Sequence, residues 1–205
     1  MAEFQKKTLD MLRQPLESGK VTISRAQSTV TYPCSFILLA ATNPCPCGYL
    51  GSRSHYCTCS PKHVQSYQNK ISGPVTDRMD ILLFLQSVHL DQPAVERMSS
   101  ADIRKRVERA RDRQYERYQK QVCNAKVSFE KLLEMSPLQE HQLNMIRQVA
   151  SKQHWSNRVQ IKVIRLARTI SDLAGSKDIT DEAIWQAITL RRGNILKEQI
   201  KAGKR

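Results

Sequence analysis

Four of the chain's six cysteines fall in one short loop, as Cys45-Pro46-Cys47-Gly48 and Cys57-Thr58-Cys59, with nine residues between Cys47 and Cys57. A loop so rich in Pro, Gly, Ser and Cys has too little apolar surface to order itself by burial, and it needs a cross-link. Four thiolates in two close pairs can surround one Zn²⁺ tetrahedrally, while Gly48 and Gly51 permit the tight turns between them. With every position filled by sulfur, no place is left for a substrate, so such an ion is structural. The C-x-C spacing is shorter than the C-x-x-C of zinc ribbons, and a redox pair or a loop of reduced thiols are the competing readings. His55 and His63 are nearby substitute ligands. Cys34 and Cys123 lie outside the cluster and read as buried small residues. Six cysteines in 205 residues are too sparse for a secreted disulfide framework.

On either side of the loop the apolar period changes. Residues 3–18 carry Phe4, Leu9, Leu12 and Leu16 near helical spacing, with Pro15 kinking the stretch and Gly19 at the C-cap position. Over 20–32 the period is two. Val21 and Ile23, then Val30 and Tyr32, flank Arg25-Ala26-Gln27-Ser28, which predicts a β-hairpin. Residues 35–41 form a continuous apolar run, as expected of a strand buried on both faces. That run ends at Thr42-Asn43-Pro44. An Asn at the carboxyl end of such a strand faces the ligand crevice of an open α/β sheet and can hold a water against a phosphate; a plain turn-former before Pro44 is the equal alternative. Residues 64–70 read as a short helix, 81–88 as a last strand and Gln92-Pro93 as a hinge. Four helices are predicted beyond it, over 100–120, 138–150 and 157–174, and after Thr180. Ile179 and Ile184 are spaced there as a hydrophobic staple. The expected architecture is α/β followed by all-α, with domains at 1–91 and 92–205.

Charge narrows the partners. Lys and Arg total 33 against 19 Asp and Glu, a net charge of +14 and a pI near 9.8. Such an excess favours a polyanion such as DNA, because each neutralised phosphate releases condensed counterions; a solvated basic face or an acidic neighbouring subunit is the plainer alternative. The longest apolar run is far short of the roughly 20 residues needed to span a bilayer, and the first residues lack a signal core, so a cytoplasmic protein without a membrane partner is expected.

Several blocks carry a resemblance. Glu3-Phe4, Leu12-Arg13-Gln14-Pro15-Leu16-Glu17-Ser18-Gly19 and Val21-Thr22-Ile23-Ser24-Arg25-Ala26 resemble the magnesium-chelatase-like AAA+ ATPases of the ComM/YifB family. So do Ala41-Thr42-Asn43-Pro44-Cys45-Pro46-Cys47-Gly48-Tyr49, Ser72-Gly73-Pro74-Val75-Thr76-Asp77-Arg78-Met79-Asp80, Asn124-Ala125 and Ala167-Arg168-Thr169-Ile170-Ser171-Asp172-Leu173. The likeness covers nearly the whole chain. It implies the carboxy-terminal remnant of an AAA+ α/β core, with β-hairpin and Cys-rich loop, followed by a helical lid bundle. Asn43 would be the sensor 1 residue that orients water at the γ-phosphate. Arg78 would be the arginine finger, whose permanent charge suits phosphate oxygens, and Arg158, after Trp155-Ser156-Asn157, would be sensor 2. The hairpin would be the pre-sensor-1 hairpin that meets DNA in related ring helicases, with Lys20 and Arg25 as phosphate contacts. Without the resemblance, each of these cations reads as an ordinary charged surface residue. Cys34, Asn157 and Val75-Thr76 depart from the family pattern.

No G-x-x-x-x-G-K-[ST] occurs, nor an apolar strand ending in Asp-Glu before Glu3. The expectation is therefore a chain that begins after the ATP- and Mg²⁺-binding segments and does not hydrolyse ATP alone, while its intact parent does. The leading reading of that parent is a hexameric, self-associating ATP-driven motor on branched DNA, in recombination and natural transformation. A chelatase- or chaperone-like protein-remodelling subunit is the second reading, and a non-enzymatic zinc- and DNA-binding module the third.

Overall fold

Pro15 divides the first helical stretch in two. A proline lacks the N–H that would bond four residues back, and its ring presses on that carbonyl, here of Met11. Accordingly α1 covers Lys6–Met11 and α2 covers Arg13–Ser18, with Leu12 between them. Gly19 ends α2 at φ 64°, in the left-handed region where a side chain would be strained. The chain then turns into an antiparallel hairpin, β1 (Lys20–Arg25) and β2 (Ser28–Pro33), with Ile23 opposite Val30 and Arg25 opposite Ser28. Ala26 and Gln27 form its two-residue turn. Hydroxyls bridge the strands at 3.0 Å (Thr22–Thr31) and 2.8 Å (Ser24–Thr29), while Ile23, Val30 and Tyr32 stand exposed on the opposite face.

The computed structural model describes residues 1–52, 54–85 and 98–191. Within them the expected buried strand over 35–41 does not form. The segment is extended but joins no ladder, and Ile37 and Leu39 are 86% and 90% exposed. A strand buried on both faces needs neighbours on both edges and layers above and below. The described residues contain only the two-stranded sheet β1–β2. Residues 81–85 likewise form no strand, although the Leu82 N–H donates to the Leu190 carbonyl at 2.8 Å. The rest of that predicted strand, the Gln92-Pro93 hinge and the 91/92 domain boundary lie outside the described residues. After the cysteine loop, α3 covers Pro61–Gln68 and buries Val64 and Tyr67, and the short α4 covers Gly73–Thr76. The start of α3 precedes the expected position because Ser60 accepts the His63 N–H and Pro61 opens the first turn.

The described residues divide into one compact unit of Met1–Met79 and a second that begins at Asp80. The second is helical: α5 (Ser100–Tyr118), α6 (Phe129–Met135), α7 (Glu140–Gln153), α8 (Asn157–Ala174) and α9 (Asp181–Arg191). The apolar stripe of α8 packs on α9 and α5, and Leu132, Ile146, Val163, Ala167, Ile184 and Ile188 form the centre of the core. Thr180 accepts the Ala183 N–H at 3.2 Å, and both staple residues, Ile179 and Ile184, are buried. Two arginines serve the carboxyl end of α8 and a third the loop that follows it. Arg106 and Arg113 donate to the Leu173 and Asp172 carbonyls, and Arg168 donates to those of Ser176 and Lys177. Cations there satisfy orphan carbonyls and favour the helix dipole. Among the described residues no helix is long and apolar enough to cross a membrane. Observed at this level, the molecule is mixed α/β, mostly helical with one small sheet.

Candidate metal centre

The loop between the extended segment and α3 closes on its own cysteines. The Gly48 N–H donates to the Cys45 carbonyl at 3.0 Å, and Gly48, at φ 83°, turns the chain so that Cys45 and Cys47 face inward together. Ser60, immediately after Cys59, caps α3, and the Gln68 amide of that helix donates to the Pro44 carbonyl at 3.0 Å. Both ends of the loop are thus held by α3.

Cys45, Cys47, Cys57 and Cys59 bring their sulfurs within 4.8 Å of one another. The separations are 3.4 Å for Cys45–Cys47, 3.7 Å for Cys45–Cys57 and 3.6 Å for Cys47–Cys57. A tetrahedral site with Zn–S bonds of about 2.3 Å has sulfurs about 3.8 Å apart, so the donor set fits a Zn²⁺-sized ion in both number and spacing. Cys45 is fully buried, and the other three are half-buried.

The ionisation of Cys47, Cys57 and Cys59 reflects the crowding of their sulfurs. The Tyr49 backbone N–H faces the Cys47 sulfur and, with the neighbouring thiols, brings it down to about 6. At Cys57 the Cys59 backbone hydrogen bond pulls the other way but is outweighed by desolvation and the adjacent sulfurs, and the thiol is pushed up to about 12. Cys59 is raised for the same reasons, against the hydrogen bond from Cys47. One thiolate is favoured and the crowd behind it is not, as expected when like charges share a site without a counter-ion. If a divalent ion were held there, Cys45, Cys47, Cys57 and Cys59 would coordinate it as thiolates.

His55 and His63 are not in the cluster. The His55 ring stacks on Tyr49 with centroids 4.7 Å apart and its Nδ1 meets Ser54, while His63 is exposed on α3. Cys34 and Cys123, expected to be buried, are both partly exposed. Cys34 follows β2, where only its N–H is tied, to the Gly19 carbonyl at 2.7 Å; Cys123 lies between α5 and α6.

The remaining candidate residues are spread over the two units. Asn43 is exposed two residues before Cys45, and its amide lies 4.0 Å from where a Cβ on Gly48 would stand. Arg78 follows α4 and is 14% exposed. Its Nε donates to the Arg13 carbonyl at 2.9 Å and one Nη to Pro74 at 2.8 Å, while the other pairs with Glu17. Arg158 is the exposed second residue of α8, in the second unit. Lys20 and Arg25 are exposed at the first and last positions of β1.

Sequence reasoning did not anticipate the buried polar network at the heart of the second unit. Asp172 pairs with Arg168 and Arg117 and accepts from Asn124 at 2.8 Å, and Asn124 accepts from Tyr118 at 2.7 Å. The only prior signal was that Asn124 and Asp172 stand in two of the resemblance blocks.

Residues 1–92 match the family described as magnesium chelatase, subunit ChlI, and residues 97–191 match its C-terminal region. The competence protein ComM of Haemophilus influenzae is 33% identical over 93% of this chain, as is YifB of Escherichia coli and of Salmonella typhimurium. The chain belongs to the magnesium-chelatase-like family of ComM and YifB. It spans 38% of the length of the YifB proteins and 37% of ComM. The cysteine cluster and Arg78 fall in the first matched region of this family member, and Arg158 in the second.

Proposed function

We propose that this chain is the sensor, finger and lid portion of a ring-forming, ATP-driven motor that acts on branched DNA, with its cysteine cluster closed on one structural Zn²⁺. The observation that carries the reading is the likeness to a competence protein over 93% of the chain, joined to a net charge of +14. Natural competence handles incoming DNA, and a basic ring is suited to a polyanion.

The residues enter in defined roles. Zn²⁺ supplies a rigid cross-link between Cys45, Cys47, Cys57 and Cys59, and α3 carries that rigidity away from the loop. Asn43, on the adjoining turn, is the sensor 1 residue and holds water in line with a phosphate. Arg78 is the finger. Its guanidinium, here satisfied by Glu17 and two carbonyls, exchanges these acceptors for phosphate oxygens of a neighbouring subunit. Arg158, in the first turn of α8, is the sensor 2 residue, whose permanent charge suits the nucleotide phosphates. Lys20 and Arg25 bracket β1 and contact the DNA backbone. Binding of ATP and Mg²⁺ is assigned to the longer protein.

The experiment is ATP turnover by a full-length homologue containing this chain, without DNA, with linear duplex and with a four-way junction. Strongest stimulation by the junction is expected. Turnover indifferent to DNA would instead favour a protein-remodelling subunit, a reading for which the chelatase description of both matched regions speaks.

A further inference from the structure

A cleft of about 420 Å³ opens on the first unit, lined by Lys6, Lys62, Gln65, Ser66, Asn69 and Lys70. Its construction follows from helical spacing. Positions 62, 65, 66 and 69 share the exposed face of α3 and its C-cap, with Val64 and Tyr67 buried on the other side; Lys70 follows directly, and Lys6 comes from the first turn of α1. No carboxylate lines the cleft. Two other lysines are paired with acids, Lys131 with Glu134 and Lys162 with Asp80. None of the three cleft lysines has such a partner among the described residues.

Three lysines lining one cleft without a carboxylate make its surface electropositive, which favours an anion. The groups between the lysines are amides and a hydroxyl, which donate to phosphate oxygens. No aromatic ring lines the cleft to stack a base: Tyr67 is turned into the unit, with the Lys70 ammonium 5.4 Å from its centroid. Such a surface holds a sugar-phosphate backbone without reading sequence.

We propose that Lys6, Lys62 and Lys70 form a second, sequence-independent contact for the phosphodiester backbone of nucleic acid, separate from the hairpin residues Lys20 and Arg25. The proposal rests on nucleic acid being the partner. It adds where the strand passes: along α3, the helix whose first turn follows the cysteine cluster.

The test is the salt dependence of binding of a labelled DNA duplex by the 205-residue chain, read by fluorescence anisotropy. Three proteins are compared: wild type, the triple variant Lys6→Ala/Lys62→Ala/Lys70→Ala, and a control of equal charge loss, Lys120→Ala/Lys152→Ala/Lys177→Ala. All six lysines are exposed, so the three proteins should share one melting transition. The slope of log K against log salt should fall in magnitude by about 2.7 in the cleft variant and by well under 1 in the control, since each phosphate contact contributes about 0.9. Equal slopes in the two variants would overturn the cleft assignment while leaving DNA binding intact. A wild-type chain without salt-dependent DNA binding would instead sink the functional reading beneath it. ATP titrated against the same proteins forms a third arm. A cleft variant that loses ATP binding but keeps the wild-type DNA slope would identify a nucleotide site and contradict the proposal.

Discussion

Asp172 has no exposed surface, yet two guanidinium groups and an amide converge on it. Burial works against the charge on Arg168, which is itself fully buried, and Asp172 is what favours that charge. Asp172→Ala should therefore cost about 3–5 kcal/mol in urea unfolding, because it leaves Arg168 buried without a counter-charge. Asp172→Asn keeps the shape and some hydrogen bonds and should cost less. A loss below about 0.5 kcal/mol for Asp172→Ala would mean that the network does not hold the helices together. Arg78 is engaged differently, with its nitrogens on Glu17 and two main-chain carbonyls. In a full-length homologue, Arg78→Ala should abolish ATP turnover while nucleotide binding persists. Normal turnover would make Arg78 a structural arginine of the first unit. Lysine should not replace it, having no planar fork to share between two phosphate oxygens.

At the scale of elements, the cysteine loop and α3 behave as one piece. Ser60 caps the helix beside Cys59, and Gln68 returns to Pro44. Cys57→Ser with Cys59→Ser should reduce zinc from one per chain to none by elemental analysis and loosen α3 in hydrogen exchange; unchanged zinc content would reject the site. The start of α9 provides a pH test. Gln142 first, and His141 after it, hold the Asp181 carboxyl below the usual 3.8. A depressed carboxylate contributes stability that is fully present above its unfolded value and lost as pH falls through its folded one. The stability gap between wild type and Asp181→Asn should thus be full at neutral pH and close as pH falls below the usual 3.8 in parallel urea titrations. A gap constant with pH would contradict the ion-pair geometry.

Much of this level was legible in the sequence, because it is local. The stripe of Val159, Val163 and Ala167 marked α8, Thr180 with its staple marked the start of α9, and alternation about Arg25-Ala26-Gln27-Ser28 marked the hairpin. The paired C-x-C spacing similarly identified the four residues that meet. The seven-residue α6 was missed because it is too short to show a period. The Asn124–Asp172 contact joins residues 48 apart and has no local signature. The apolar run over 35–41 was misread as a buried strand, because whether such a run joins a sheet depends on neighbours that the run itself does not encode.

For the whole molecule, that run is the most informative departure. Phe36, Ile37 and Leu39 are exposed, as are Ile81, Leu83 and Leu85, and the chain covers less than two fifths of the relatives it matches. Extended apolar segments without a ladder are surfaces that a larger sheet would bury. The motor reading is therefore tested on full-length homologues, in which the counterparts of this four-cysteine loop, basic hairpin and helical unit can be examined together. Its central claim is that ATP turnover moves branched DNA, and the most direct measurement is the conversion of a labelled four-way junction into two duplexes by a full-length homologue supplied with ATP. Conversion by the wild type and none by Arg78→Ala is expected. Brisk ATP turnover that leaves the junction intact would contradict it.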